Sequence, residues 1–358
     1  MTLEYPMNPI QALDMQIDEL DAKLMQQAQA RLDQLTKPLG SLGRLETLAK
    51  QIVGITRQAA PRLTQKVIVT MAADHGVVQE GVSAYPQAVT KEMVANFLRG
   101  GAGINVFARH VGARVVVVDM GVAADLEPHT DLVSRKIGYG TKNLAQGPAM
   151  TSGQAYAAVQ AGLEIVEREI ARGADMIGTG DMGIGNTTAS SAIAAAMTGA
   201  PAEDVTGRGT GIDDATHARK INVIQRALKV NRPNPSDPLE VLAKVGGFEI
   251  AGLVGVILGS ARARRPVVID GFISGAAALI AVGLKPQVKA YLIAAHLSQE
   301  SGHRVVLEHL GLHPLLDLNL RLGEGTGAAL AMALVDAACK VLTEMATFQE
   351  AGVSGKVT

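Results

Sequence analysis

The sequence has no tryptophan, a single cysteine and almost no net charge, because 33 Lys and Arg face 34 Asp and Glu for a formal charge of -1 at pH 7. One cysteine, Cys339, excludes a disulfide framework and fits a reducing compartment, and its apolar surroundings predict that it packs inside a helix. Aromatic residues make up only 3% of the chain. Since nucleic-acid binding relies on a basic field or on stacking side chains, we expect no nucleic-acid partner.

Membrane-spanning and export signals are also missing. No N-terminal stretch shows a basic region followed by an apolar run, and charge or glycine interrupts every apolar run of spanning length. Hydrophobic residues form 47% of the 358 residues and charged residues 19%, as in an ordinary globular protein. We expect a cytoplasmic protein without a membrane partner.

From Lys66 onward, short apolar runs alternate with Ala- and Gly-rich segments of helical length. This alternation predicts an α/β fold with a doubly wound, mostly parallel, Rossmann-like sheet and crossover helices. The predicted strands are residues 67–72, 114–119, 174–178, 266–270, 291–295 and 316–322. Glycine or polar residues follow each run, which indicates a ligand site at the carboxyl edge of the sheet, although ordinary turns favour the same residues.

The two ends of the chain are predicted to be helical. Residues 8–36 repeat leucine and isoleucine at three- and four-residue steps, a second helix follows to about Arg57, and residues 328–350 are apolar nearly all round. We expect a small helical lobe made of residues 1–58 plus 328–358, which can also carry a subunit contact. Residues 59–327 would then form the large α/β domain, with the active site at its C-terminal strand edge.

The segment 316–327 joins a predicted strand to a helix. Leucines alternate with polar residues over 316–322, and Gly-Glu-Gly-Thr-Gly then leads into an Ala-rich helix. Glu324 therefore lies between two glycines at a tight turn. The carboxylate either charges the first turn of the following helix or serves a site at the sheet edge. The local sequence leaves both interpretations open.

A second glycine-rich turn, GTGDMGIGNTT, occupies residues 178–188. Its free N–H groups, and a helix N-terminus capped by Asn186, Thr187 or Thr188, are suited to a phosphate. The turn matches GxGxxG, but the acid expected about twenty residues later falls in a Pro- and Gly-flanked loop, and GxxxxGK[ST] is absent. We expect no dinucleotide cofactor and no Walker-type nucleotide site.

Lys220 and Arg321 could supply cations to a phosphate. Arg321 is the stronger candidate because it lies on the polar side of the strand that leads to Glu324. For Lys220, the local sequence alone favours a solvated surface cation.

Other catalytic classes find less support. Asp74 and His75 follow the first strand and could be an acid-base pair or metal ligands, but Gly311 interrupts the helical spacing of His309 and His313, so we expect no metal. Without GxSxG, and with the lone cysteine inside a helix, a covalent nucleophile is disfavoured.

Six runs together resemble the nicotinate-nucleotide:dimethylbenzimidazole phosphoribosyltransferase family, which makes the lower nucleotide loop of cobalamin. They occur in one order: KPLGSLGRLE (37–46), AADHGV (72–77), GDMGIGNTT (180–188), KVGGFEIAGLVG (244–255), VVIDGFISGAAAL (267–279) and RLGEGTGAALA (321–331). The resemblance implies transfer of the 5-phosphoribosyl group from nicotinate mononucleotide to a benzimidazole-type base, with inversion at C1′. It also implies a homodimer with the fold predicted above.

The resemblance assigns roles residue by residue. Glu324 matches the general base, and Asp181 matches an acidic position, while Asp74 and Asp270 are acids inside matching runs. The phosphate and ribose contacts fall on Gly183, Asn186, Thr187, Thr188, Lys220, Ser298 and Arg321. The chemistry requires no metal and no cofactor, since one carboxylate can take the N–H proton of the incoming base.

Inversion requires donor and acceptor on opposite faces of the ribose. We therefore place the phosphate on the 183–188 loop and the base in an apolar pocket near Glu324, with Tyr85, Met93, Met182 and Leu322 as candidates. Ordinary core packing is the alternative for each of these four. Two other functions stay open, namely a non-catalytic nucleotide-binding or regulatory α/β protein and a related transferase for another aromatic acceptor.

Overall fold

The computed structural model describes residues 15–354 and is built on one six-stranded sheet whose strands are all parallel, in the order β3-β2-β1-β4-β5-β6. The strands are β1 (Lys66–Ala73), β2 (Ala113–Gly121), β3 (Leu132–Ser134), β4 (Met176–Met182), β5 (Val267–Ile269) and β6 (Leu292–Ala294). Helices cover the sheet, so the central strands are continuous apolar runs. The predicted α/β fold is confirmed.

Helices make up most of the remaining regular structure. They are α1 (Ala22–Gln34), α2 (Arg44–Thr56), α3 (Ala88–Arg99), α4 (Gly103–Val111), α5 (Ser152–Ala171), α6 (Asn186–Thr198), α7 (Ala202–Val205), α8 (Asp214–Asn231), α9 (Pro238–Val245), α10 (Phe248–Arg262), α11 (Phe272–Leu284), α12 (Ser301–Leu310), α13 (Thr326–Glu344) and α14 (Phe348–Ala351). Within the described part of the chain, two 3₁₀ segments occupy Gly76–Glu80 and Pro286–Tyr291.

The strand order positions the site. The chain winds outward from β1 to β2 and β3, and then from β4 to β5 and β6 on the other side. In such a sheet, the loops that leave two neighbouring strands in opposite directions open a crevice beyond their carboxyl ends. In this sheet the two neighbouring strands are β1 and β4. The loop after β1 begins at Asp74, and the loop after β4 begins at Gly183.

The terminal helices pack together, but not as an isolated unit. Helix α13 lies against α2 and α1, and it also contacts α4 and strands β1, β4 and β5. By length and composition alone α13 could cross a membrane, yet 56% of its most apolar window is buried within the protein. Its apolar surface is therefore largely used for packing.

Of the helix predicted over residues 8–36, the part from 22 to 34 is confirmed and the part from 15 to 21 is wrong. Residues 8–14 lie outside the described residues, 15–21 are not helical, and α1 begins at Ala22. The carboxylate of Asp21 accepts the N–H of Leu24 at 2.9 Å and so caps the helix start. The closing helix is likewise shorter than predicted, because the Thr347 hydroxyl caps a separate helix, α14.

The prediction of a strand over 316–322 is also wrong. This segment forms a single parallel bridge, between His296 and Leu316, and then leaves the sheet. Leu318 and Leu322 are more than half exposed, so the alternating leucines do not share a buried face. The three-residue edge strand β3 had no signal of its own in the sequence.

Candidate functional site

A cavity of about 310 Å³ lies beyond the carboxyl ends of β4, β5 and β6. Its walls are the glycine-rich loop after β4, the segment that follows β6, the turn before α13, and two further loops at 82–85 and 209–210. Two segments that the sequence singled out separately, 178–188 and 321–325, therefore meet across one space.

The loop after β4 presents a helix N-terminus to the cavity. Helix α6 starts at Asn186, and its N-cap is Gly185, at φ 98°, with no side-chain cap. The prediction that Asn186, Thr187 or Thr188 caps this helix is therefore wrong. The N–H groups of Asn186 and Thr188 donate to the carbonyls of Gly183 and Gly185 at 3.1 and 3.0 Å. The Thr187 N–H and the positive partial charge of the helix end are therefore what the start of α6 offers to an anion.

Four of the predicted phosphate and ribose residues line this cavity together with Gly183: Asn186, Thr187, Ser298 and Arg321. The exposed Arg321 guanidinium donates to the carbonyl of Gly209 at 3.1 Å. The Thr188 side chain is fully buried, and its hydroxyl has no hydrogen-bond partner among the described residues. Thr188 therefore does not line the cavity.

Lys220 is not a surface cation, contrary to the reading of its local sequence. Its side chain is 0% exposed, and its ammonium donates to the Thr187 hydroxyl at 2.8 Å and to the Gly207 carbonyl at 3.1 Å. Burial lowers the pKa of Lys220 to about 8, opposed by the nearby carboxylate of Glu300. The Lys220 ammonium therefore lies directly behind Thr187, within the cavity wall, and does not reach into the cavity.

Glu324 is buried, with 4% of its surface exposed, and it has a left-handed backbone at φ 64°. Its N–H donates to the carbonyl of Asp181 at 3.2 Å, and its carbonyl accepts the Thr70 hydroxyl at 2.9 Å. Its carboxylate accepts the N–H of Ile104 at 3.0 Å, at the start of α4. Burial raises the pKa of Glu324, with the charge of Asp270 adding to the rise and the Ile104 bond opposing it.

This geometry excludes one of the two interpretations of Glu324, the charging of its own helix. The carboxylate does not cap its own helix, because the N-cap of α13 is Gly325 and the side chain points to α4 instead. Leu322 and Gly323, the two residues before it, line the cavity. A Cβ added to Gly103 would lie 2.8 Å from Leu322 Cδ2 and 3.3 Å from Glu324 Oε2. The carboxylate is therefore one layer behind the cavity wall, beside Leu322.

The three other predicted acids differ in their relation to the cavity. Asp181 lines the cavity and accepts the side-chain N–H of Asn186 at 2.9 Å. Burial, and next the charge of Asp270, raise the pKa of Asp181 well above its ordinary value. Asp74 and Asp270 are buried and do not line the cavity; Asp74 accepts the N–H of Ala123 at 2.8 Å.

His75 forms a fully buried ion pair with Glu249 at 2.7 Å. Burial opposes the charged imidazole, but Glu249 outweighs it and raises the pKa of His75. His75 is therefore paired inside the protein, below the glycine loop, and a Cβ on Gly185 would lie 3.2 Å from His75 Cβ. Among residues 15–354, no group of three or more His, Cys, Asp or Glu could hold a metal ion.

Of the four predicted base-pocket residues, Tyr85, Met182 and Leu322 line the cavity. Tyr85 is 54% and Leu322 58% exposed, so this side of the cavity is open. Met93 packs partly buried against the hydrophobic core instead and does not line the cavity.

Two further buried polar residues, His296 and Glu300, lie in the wall, and neither is among the predicted site residues. The signal available for both was their position directly after β6, next to Ser298.

Known proteins match the chain over almost its whole length. A family model described as phosphoribosyltransferase matches residues 17–353. The nicotinate-nucleotide–dimethylbenzimidazole phosphoribosyltransferase of Desulforudis audaxviator is 63% identical over 338 residues, which are 94% of this chain and 96% of that protein. The enzyme of the same name from Chloroflexus aurantiacus is 61% identical over 351 residues, 98% of this chain and 100% of that protein.

A solved structure agrees with these matches. The crystal structure of CobT from Thermus thermophilus superposes with a TM-score of 0.90 at 52% identity, and the match covers 93% of this chain and 99% of that one.

Proposed function

The chain belongs to the nicotinate-nucleotide–dimethylbenzimidazole phosphoribosyltransferase family, and from this membership we propose which of its residues carry the reaction. It is a transferase of cobalamin lower-ligand synthesis that moves the 5-phosphoribosyl group of nicotinate mononucleotide to 5,6-dimethylbenzimidazole. The products are nicotinate and α-ribazole 5′-phosphate, with inversion at C1′. The observation that carries the assignment of roles is the placement of a buried glutamate behind the wall of a cavity that a helix N-terminus faces.

The phosphate of nicotinate mononucleotide binds at the start of α6. The N–H of Thr187, the positive end of α6 and the side chains of Asn186 and Thr187 receive the phosphate oxygens. Arg321 and Ser298 close the opposite side, and Lys220 contributes its charge through Thr187. A phosphate carries nearly two negative charges at neutral pH, so two cations and one helix end compensate it.

Glu324 is the general base. The acceptor's lone-pair nitrogen forms the new bond to C1′ while the bond from C1′ to the nicotinate nitrogen breaks, and its electron pair leaves with nicotinate. The other nitrogen of the acceptor then gives its proton to the Glu324 carboxylate. Nicotinate leaves from a cationic pyridinium, so the leaving group needs no acid. A base in a buried setting has a raised pKa, which brings it closer to the operating pH.

Replacing the carboxylate tests this role. Glu324→Gln is expected to lower kcat by about 10² to 10⁴, the usual contribution of a positioned base, with little change in the KM for nicotinate mononucleotide. The assay is nicotinate release in the presence of dimethylbenzimidazole, and Glu92→Gln, at an exposed acid on α3, is the matched control. Near-normal turnover in Glu324→Gln would remove the assigned role.

Because one side of the cavity is open, aromatic acceptors other than dimethylbenzimidazole are a second possibility. Tyr85 and Leu322 are more than half exposed, so apolar contact there discriminates weakly between similar aromatic rings. A panel of dimethylbenzimidazole, benzimidazole, adenine and a phenol, with products identified by mass, tests the acceptor range. A protein that binds nicotinate mononucleotide in calorimetry but releases no nicotinate with any of these bases would instead be a non-catalytic nucleotide sensor.

We further propose a cytoplasmic homodimer in which residues 1–58 and 328–358 form the small lobe and residues 59–327 form the large domain. The single cysteine supports a reducing compartment. Leu39, which is 73% exposed in the loop before α2, is the residue at which we test the subunit contact. Light scattering tests the dimer, and Leu39→Ser is expected to weaken it. A monomer of full activity would contradict this assembly.

A further inference from the structure

The turn that carries Glu324 has an unusual backbone. Gly323, Glu324 and Gly325 all have positive φ, at 80°, 64° and 99°. For the glycines this conformation is free of strain, but for a glutamate it is disfavoured by contacts of its own Cβ. A strained residue at a functional site persists only when its surroundings hold it. The groups that hold this turn are therefore relevant to catalysis.

Asp270 holds the turn from the side of α13. One carboxylate oxygen accepts the N–H of Gly325 at 3.1 Å, and the other accepts the N–H of Ala328 at 2.9 Å. Asp270 itself follows β5 and is 1% exposed, and its own N–H donates to the Thr179 hydroxyl at 3.2 Å. Because Gly325 directly follows Glu324, Asp270 fixes the peptide unit that joins them.

Thr70 holds the same peptide unit from the opposite direction. Its hydroxyl, fully buried on the central strand β1, donates to the carbonyl of Glu324 at 2.9 Å. Thus the carbonyl of this peptide unit is bound by Thr70 and its N–H by Asp270. The two side chains come from different strands, so the rigid sheet sets the orientation of the turn.

We propose that Asp270 and Thr70 are positioning residues that hold Glu324 in its left-handed conformation and so aim its carboxylate at the acceptor. Both carboxylate oxygens of Asp270 and the hydroxyl of Thr70 are already bonded to the turn and its following helix, so these two side chains act on Glu324 rather than on the substrate. This inference rests on the proposed role of Glu324 as the base. Without these two bonds, the turn can relax toward ordinary backbone angles and move the carboxylate away from the incoming nitrogen. A displacement near 1 Å can cost about 10²-fold in rate.

The test compares Asp270→Asn and Thr70→Val with the full-length wild type. Asn keeps one acceptor oxygen and loses the other, while Val keeps the volume of Thr and loses only the hydroxyl. We expect kcat to fall at least about tenfold in each variant, with the KM for nicotinate mononucleotide within about twofold, because the phosphate site is untouched. Asp237→Asn, at the N-cap of α9, and Thr343→Val, at the far end of α13, are matched controls.

Combining each substitution with Glu324→Gln separates positioning from general destabilisation. If both residues act through Glu324, the double variants are no slower than Glu324→Gln alone. The proposal would be overturned if the losses in kcat of the single variants added up in the double variants, or if kcat and KM changed by equal factors. If Asp270→Asn does not fold, a normal kcat in Thr70→Val would overturn it. Full activity of the single variant Glu324→Gln would instead refute the role of the base itself, so the two failures are distinguishable.

Discussion

The buried Lys220 predicts that nicotinate mononucleotide binding weakens above pH 8. The pKa of this lysine is lowered to about 8 by burial, so at pH 9 only about one protein in ten carries the charge before ligand binds. A bound phosphate favours the protonated lysine, so binding at this pH requires proton uptake. The dissociation constant is therefore expected to rise about tenfold between pH 7 and pH 9, which corresponds to about 1.4 kcal/mol.

The stability of the unliganded protein is expected to rise with pH, whereas the binding of nicotinate mononucleotide weakens. The folded-state pKa of Lys220 lies below its ordinary value of 10.5, so the unfolded chain binds more protons between these two values and stability rises as pH increases through this window. The difference, 10.5 minus about 8, corresponds to about 3 kcal/mol that protonated Lys220 costs the fold below pH 8. Weaker binding and greater stability should thus appear together.

Isothermal titration calorimetry in buffers of different ionisation enthalpy measures the affinity and the proton uptake from pH 7 to 9.5. The phosphate itself titrates near pH 6, so it stays doubly charged throughout this range. Lys220→Met is the reference, since it cancels contributions from all other groups, and denaturant unfolding of both proteins gives the stability difference. A dissociation constant that does not change up to pH 9.5, or the same pH dependence in Lys220→Met, would refute the reasoning.

Three shorter predictions follow from the same geometry. Arg321→Ala is expected to raise the KM for nicotinate mononucleotide by about tenfold with kcat largely kept, and an unchanged KM would count against a phosphate contact. A side chain at Gly180 would clash with the Glu324 carbonyl, so Gly180→Ala should lower kcat by about 10², whereas Gly147→Ala, in open space, should not. Cys339 is buried, and burial raises the pKa of its thiol to about 12; native protein should therefore resist thiol reagents, and rapid labelling with lost activity would disprove this.

Much of the site could be predicted because its elements carry local signals. The glycine-rich turn predicted between an apolar strand and an Ala-rich helix at 178–188 is present between β4 and α6. Its binding of a phosphate stays a prediction. The identity of the helix cap could not be predicted, because Gly185, Asn186 and Thr187 are all good N-cap residues and only the backbone path selects among them. The alternating leucines before Glu324 misled for a related reason, since period two describes an extended chain whether or not a partner strand is present.

By itself, the sequence determined the parallel α/β fold and the two glycine turns that border the cavity, because hydrophobic period and glycine placement act within a few residues. Only the tertiary structure decided what surrounds the charged groups. The Ile104 N–H on the Glu324 carboxylate and the Thr187 hydroxyl on the Lys220 ammonium join residues far apart in the chain. Burial and hydrogen-bond partners set the pKa and direction of a side chain, and both depend on which distant segments the fold brings together.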